Sequence, residues 1–191
     1  MNAPTLDWTE PQLFKLRLAD VQMLEQAGAF EGRPRAELIE GMLIAVSPQQ
    51  RPHSYVKNEL TFRFRLALAA SNSILSAQSE PTIEISPTSA PEPDIALTDA
   101  PRGKGYVPVA SVALLVEIAD SSLRFDLGDK RDIYAAASVP EYWVVDVNKA
   151  EVHRFADPRD GTYRAESPIP LAGELRSLTV PDLAIDGAGI L

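Results

Sequence analysis

This sequence predicts an α/β fold with a mixed central β-sheet flanked by helices, and three features carry the prediction. The middle of the chain holds apolar runs, "DIALTD", "ALLVEIAD" and "EYWVVDV", each of strand length and set off by turn-forming or polar residues. Residues 54–70 repeat their apolar positions every four residues, at Val56, Leu60, Phe64 and Leu68, which is the spacing of one helix face. A second helical stretch, residues 127–137, falls between the last two apolar runs, where it would cross from one strand to the next.

The elements follow in order. Residues 9–28 read as a first helix, with Leu13, Leu16, Leu18, Val21, Leu24 and Ala27 at roughly helical intervals and Gly28 closing it. "AELIEGMLIAVSP" reads as a hairpin turning at Glu40-Gly41 and ending at Pro48, with "QQRPH" as the loop before the helix of residues 54–70. "ILSAQSEPTIEIS" reads as one strand, and core strands are expected at residues 92–98, 113–119 and 141–147. Asp126 is expected to cap the helix of residues 127–137, with Asp129 completing a capping-box-like pair. "EVHRFAD" and "TYRAE" suit a hairpin around residues 157–161, and the tail has only weak strand character. No repeat, low-complexity tract or linker interrupts the chain, so residues 1–191 read as one domain.

A net charge of -9 argues against a protein that coats nucleic acid through a broad basic surface. It says little about an enzyme that neutralises its own acids with a metal. The absence of cysteine excludes disulfides, thiolate zinc sites and cysteine nucleophiles, and fits a reducing cytoplasm. The start, "MNAPTLDWTEPQ", lacks a secretory signal and no apolar segment spans a bilayer, so a cytoplasmic protein with no membrane partner is expected.

The chemistry centres on Glu117, which breaks the apolar run "LLVEIAD". Residues two apart share a strand face, so Leu115, Glu117 and Ala119 point one way and Leu114, Val116 and Ile118 the other. Asp94, after Pro93, opens the preceding strand, and pairing of the two strands would bring both acids to one sheet end. Two close carboxylates repel, and a divalent cation relieves the conflict; hard oxygen ligands with retained waters suit magnesium, or manganese in its place. A common nuclease layout adds a lysine two positions after the second acid, but that position is Ala119. Lys130, at the start of the next helix on one stripe with Asp126 and Tyr134, could reach the space that the small Ala119 side chain leaves beside Glu117. Equally, Glu117 and Lys130 suit a plain buried ion pair.

The run "VEIADSSLRFDLGDKRDIYAAASVPEYWVVDV", with "AELIEGMLIAVSPQQRPHSYV" and "PEPDIAL" upstream, resembles the Uma2 family of restriction-endonuclease-like proteins. That family is similar to the PD-(D/E)XK nucleases with the lysine moved to a helix. The resemblance covers roughly residues 20 to 155. It implies a restriction-endonuclease-like fold, Asp94 and Glu117 as metal ligands, and Lys130 as the catalytic lysine. Glu37 and His53 would be accessory groups. The implied activity is magnesium-dependent endonuclease cleavage of nucleic acid, DNA before RNA, with homo-oligomerisation left open. A catalytically inactive binding or regulatory module on the same fold is the alternative. Two departures stand out: Ala119 leaves the strict superfamily signature unmet, and Ser138 replaces the family's glycine after the helix. Other residues read as structure: Tyr134 as core, Glu141, Tyr142, Trp143 and Asp146 as shaping the next strand, and Arg51, Lys57, Arg63 and Arg65 as a solvated helix face.

Overall fold

The structure is a computed structural model that describes residues 13–191. Its elements are α1 (Leu18–Gln26), β1 (Ala36–Ile39), β2 (Met42–Ala45), α2 (Arg51–Ala70), β3 (Ser76–Ser79), β4 (Ile83–Glu84), β5 (Ile95–Thr98), β6 (Val107–Pro108) and β7 (Val112–Ala119). Then come α3 (Leu123–Phe125), a π-helical segment (Asp126–Lys130), α4 (Arg131–Ala136), β8 (Glu141–Asp146), β9 (Glu151–Arg159), β10 (Thr162–Pro170), β11 (Glu174–Arg176) and β12 (Ala184–Asp186).

Six strands form the central sheet in the order β10-β9-β8-β7-β5-β3. β7 and β8 run parallel, joined by the helical crossover, and the other neighbours are antiparallel, so the sheet is mixed. Its two faces bury different layers. Val56, Leu60, Phe64 and Leu68 of α2 pack with Leu114, Val116 and Ile118 on one face, together with Trp143 and Val145. On the other, Tyr134 and Val139 pack with Leu115, Ala119, Tyr142 and Val144. The alternation along β7 therefore has the expected phase, and Glu117 belongs to the Leu115–Ala119 face.

Several expectations need correction. The first helix covers only Leu18–Gln26; residues 9–12 lie outside the described residues, while Leu13 and Phe14 are exposed and non-helical. Only Leu18 and Val21 of that helix are buried, so its apolar periodicity overstated its contact with the core. "ILSAQSEPTIEIS" is two strands, not one. The chain turns at Glu80, whose φ of 51° is left-handed, and Pro81 lacks the N–H that would continue the ladder. β3 stays in the central sheet while β4 leaves it to pair with β6. Asp126 caps nothing; it lies inside the helical segment, buried, and Asp129 is exposed. The β9–β10 hairpin turns at Asp160-Gly161, both with positive φ, so its strands continue through residues 157–159. The Glu40-Gly41 turn, with φ of 48° and 82°, is where the sequence put it.

The tail is more ordered than its sequence suggests. β11 and β12 pair, and Leu171, Leu175, Leu183, Ile185 and Ile190 join the α2-side core. Buried Glu141 holds the segment: it accepts hydrogen bonds from Ser177 Oγ at 2.5 Å, the Leu178 and Thr179 N–H groups at 3.0 Å, and Thr179 Oγ1 at 2.9 Å. Gly187 allows the return, since a Cβ there would fall 1.6 Å from the Leu171 carbonyl oxygen.

Candidate active site

The sheet register places three acids in a row. β3 pairs Ser79 with Ile95, and β5 pairs Ile95 with Val116. The next residues in line are Glu80, Asp94 and Glu117, at one end of three adjacent strands. The Glu80 N–H donates to the Asp94 carbonyl at 3.0 Å, which ties the first two together. This end of the sheet opens into a cavity of about 250 Å³. Its walls include Asp94, Glu117, Glu37 from β1, His53 from α2, and Asp126 and Lys130 from the π-helical segment.

Glu117 and Lys130 form a buried ion pair. Lys130 Nζ donates to Glu117 Oε1 at 2.9 Å and lies 3.1 Å from Glu37 Oε2. Tyr134 Oη donates to the same Glu117 oxygen at 3.0 Å. Burial pushes the Glu117 carboxyl well above its usual range; Lys130 opposes that, and the charges of Asp126, Asp94 and Glu37 add to it. Burial also works against the Lys130 ammonium, but Glu117, Glu37 and Asp126 together outweigh it and hold the lysine charged. Asp126, kept from water, is raised to about 6 despite Lys130 and a hydrogen bond from Ser122 Oγ. One cation thus serves a cluster of acids that outnumber it.

Asp94 is held from three sides. Its Oδ2 accepts from the Ile118 N–H at 2.8 Å and lies 3.0 Å from His53 Nε2, while Lys57 Nζ is 4.0 Å from its Oδ1. His53 Nδ1 is buried without a partner among the described residues. Among the described residues, neither Asp94 Oδ1 nor Glu117 Oε2 accepts a hydrogen bond, and neither is sealed from solvent. Each acid therefore keeps one oxygen free of hydrogen bonds, Asp94 Oδ1 facing only the more distant Lys57 ammonium, and both acids line the same cavity.

The sequence matches the family model Uma2, described as "Putative restriction endonuclease", over residues 19–187. The chain belongs to the Uma2 family. Its fold is similar to that of a protein solved by crystallography from Anabaena variabilis ATCC 29413 and titled "a putative nuclease belonging to DUF820". The TM-score is 0.61 at 16% identity, covering 82% of this chain and 89% of that one. No curated protein matches the sequence.

Within this Uma2 fold, all five residues singled out from the sequence line one cavity. Other residues beside it were missed. Lys57 is buried beside Asp94 and Glu80 rather than on a solvated face, which corrects the reading of the basic helix. Arg63 and Arg65 are also engaged, donating to the carbonyls of Asp186, Ala188 and Ala77. Tyr134 is core, as expected, but its hydroxyl also bonds Glu117. The Asp126–Lys130–Tyr134 spacing was the signal for it. Nothing in the sequence around Glu80 marked it out.

Among the described residues, no group of three or more histidines and acids is placed to hold a metal ion. Two carboxylates with one open oxygen each do fit a hard cation that keeps most of its waters, which is the habit of magnesium. They do not fit the closed cages of structural zinc or calcium.

Proposed function

We propose that this Uma2 protein is a magnesium-dependent endonuclease that hydrolyses phosphodiester bonds in DNA, with residues 1–191 forming one domain of that kind. The observation that carries the reading is the pair of open carboxylate oxygens, on Asp94 and Glu117, beside a buried charged lysine in one cavity. The family description and the fold shared with the Anabaena protein support it.

Asp94 and Glu117 would hold magnesium, or manganese, which supplies Lewis-acid polarisation of the phosphate and a water of lowered pKa. Lys130, charged throughout the working pH range, would orient the attacking water and offset negative charge building on the phosphate. Tyr134 and Glu37 would fix the approach of Lys130 and Glu117, and His53 would fix that of Asp94 through Oδ2, the oxygen that also accepts from the Ile118 N–H. These are positioning roles.

A binding module without catalysis is the second reading, and one observation favours it: Lys130 is already satisfied by Glu37 and Glu117. Incubation of the protein with supercoiled plasmid and with single-stranded DNA, with magnesium, manganese or chelator, separates the two. The nuclease reading expects metal-dependent cutting that Asp94→Asn and Glu117→Gln lower by about 100-fold or more. Folded wild-type protein that binds DNA and cuts neither substrate at any metal concentration would overturn it.

A further inference from the structure

Arg35 and Gln49 line the cavity, and Lys57 is buried against Glu80 and Asp94 of its wall; together they are a second set of cationic and amide donors that the mechanism above does not use. The Lys57 side chain is only 8% exposed. Its ammonium donates to Glu80 Oε1 at 2.8 Å. Gln49 Nε2 donates to the same oxygen at 2.5 Å, and Arg35 Nη1 lies 3.4 Å away. Three donors from three parts of the chain, the approach to β1, the loop before α2 and α2 itself, converge on one carboxylate oxygen. An ammonium, a guanidinium and an amide are also the donors that recognise a phosphate oxygen.

Glu80 is an unusual residue to fill that place. Its backbone is left-handed, a conformation that disfavours residues with a Cβ. Its side chain is 31% exposed, so it can leave toward solvent without rearranging the core. Lys57 holds it in place through a charge-assisted hydrogen bond, which an entering anion would have to displace. A carboxylate tethered this way competes at high effective concentration without leaving the chain.

We propose that Glu80 is an internal plug in an anion subsite formed by Lys57, Arg35 and Gln49. The subsite takes a backbone phosphate of a nucleic-acid strand entering the cavity. The choice of a strand over a free phosphate rests on the nuclease reading; the subsite itself does not. Because Lys57 Nζ is 4.0 Å from Asp94 Oδ1, the bound phosphate would lie alongside the acid pair. Displacing Glu80 would free the Lys57 ammonium and one edge of the Arg35 guanidinium for the strand, while Arg35 stays anchored by Glu92 and Lys57 by the Gln49 side-chain oxygen.

The test measures binding in chelator, without cleavage, for a short labelled single-stranded oligonucleotide and, by thermal shift, for inorganic phosphate. Glu80→Gln is expected to tighten oligonucleotide binding on the order of tenfold. It should also steepen the salt dependence by about 0.7 in log–log slope, the value of one added phosphate contact. Adding Lys57→Met should cancel the gain. Glu84→Gln removes an equal charge from an exposed position on β4 and should leave affinity unchanged. Glu80→Ala repeats the measurement with no side chain able to refill the subsite. No gain in either folded Glu80 variant overturns the plug, and so does an equal gain from Glu84→Gln. Stabilisation by inorganic phosphate with no gain for the oligonucleotide overturns the strand assignment. A Glu80→Gln gain in a protein that never cuts DNA supports the subsite while the nuclease reading fails separately.

Discussion

A carboxylate shut away from water keeps its charge only where something positive is held against it. For Glu117 that partner is Lys130, shared with Glu37. The excess of acids over cations makes the cavity receptive to a further positive charge. Calorimetry with manganese should therefore find one site, weakened at least tenfold by Asp94→Asn and by Glu117→Gln; equal affinity in all three proteins would remove the metal ligands. Asp126 pays for the same crowding in a way that pH exposes. Its folded pKa of about 6 lies above its ordinary value of 3.8. The folded state therefore holds this proton more tightly, and stability falls as pH rises from about 4 through 6, by a total on the order of 2–3 kcal/mol. Asp126→Asn, which can still accept from Ser122, should match wild type near pH 3 and become progressively more stable relative to it up to about pH 6.5, with a constant difference above that. Parallel stability curves for the two proteins would contradict that account.

At the scale of elements, the helical crossover from β7 to β8 sets the site. Its π-helical segment carries Asp126 and Lys130 to the cavity, and α4 adds Tyr134 behind them. π-helical turns recur at functional sites. The crossover ends in a Schellman motif, with the Val139 N–H bonded to the Tyr134 carbonyl and the Ser138 N–H to the Ala135 carbonyl, both at 3.0 Å. Ser138 takes the left-handed position at φ 59° that glycine accepts without penalty. Serine thus makes the glycine-type cap at a cost, and Ser138→Gly should raise stability by about 1 kcal/mol, read as a rise of roughly 2–4 °C in melting temperature. An unchanged or lower melting temperature would mean that serine's own contacts compensate. At the start of α2, helical periodicity identified the buried Val56–Leu68 stripe. It could not show that the first turns of α2 abut the sheet end, which is why Lys57 read as solvated.

For the molecule as a whole, legibility followed the length of the local signal. β5, β7 and β8 are apolar runs that no other element suits, and their order brings Asp94 and Glu117 to one end. The row of acids stayed half hidden because Glu80 enters it through strand register, and the break at Pro81 reads in sequence as an interruption within one strand. The C-terminal strands were faint because their burial depends on contacts far off in sequence. Glu141 supplies the strongest of these, so Glu141→Ala should cost several kcal/mol and free the tail to proteolysis, because buried donors lose their acceptor. A tail as protected as in wild type would show that apolar packing alone holds it. The central claim is that Lys130 acts on substrate as well as balancing its acids. It is tested most directly by Lys130→Gln, with melting temperature, manganese affinity and magnesium-dependent plasmid nicking measured on the same sample. The expected result is a folded protein that binds manganese within a few-fold of wild type and nicks about 100-fold more slowly or worse. A folded, destabilised Lys130→Gln protein that nicks at the wild-type rate would contradict the claim and leave the lysine as a structural counter-ion.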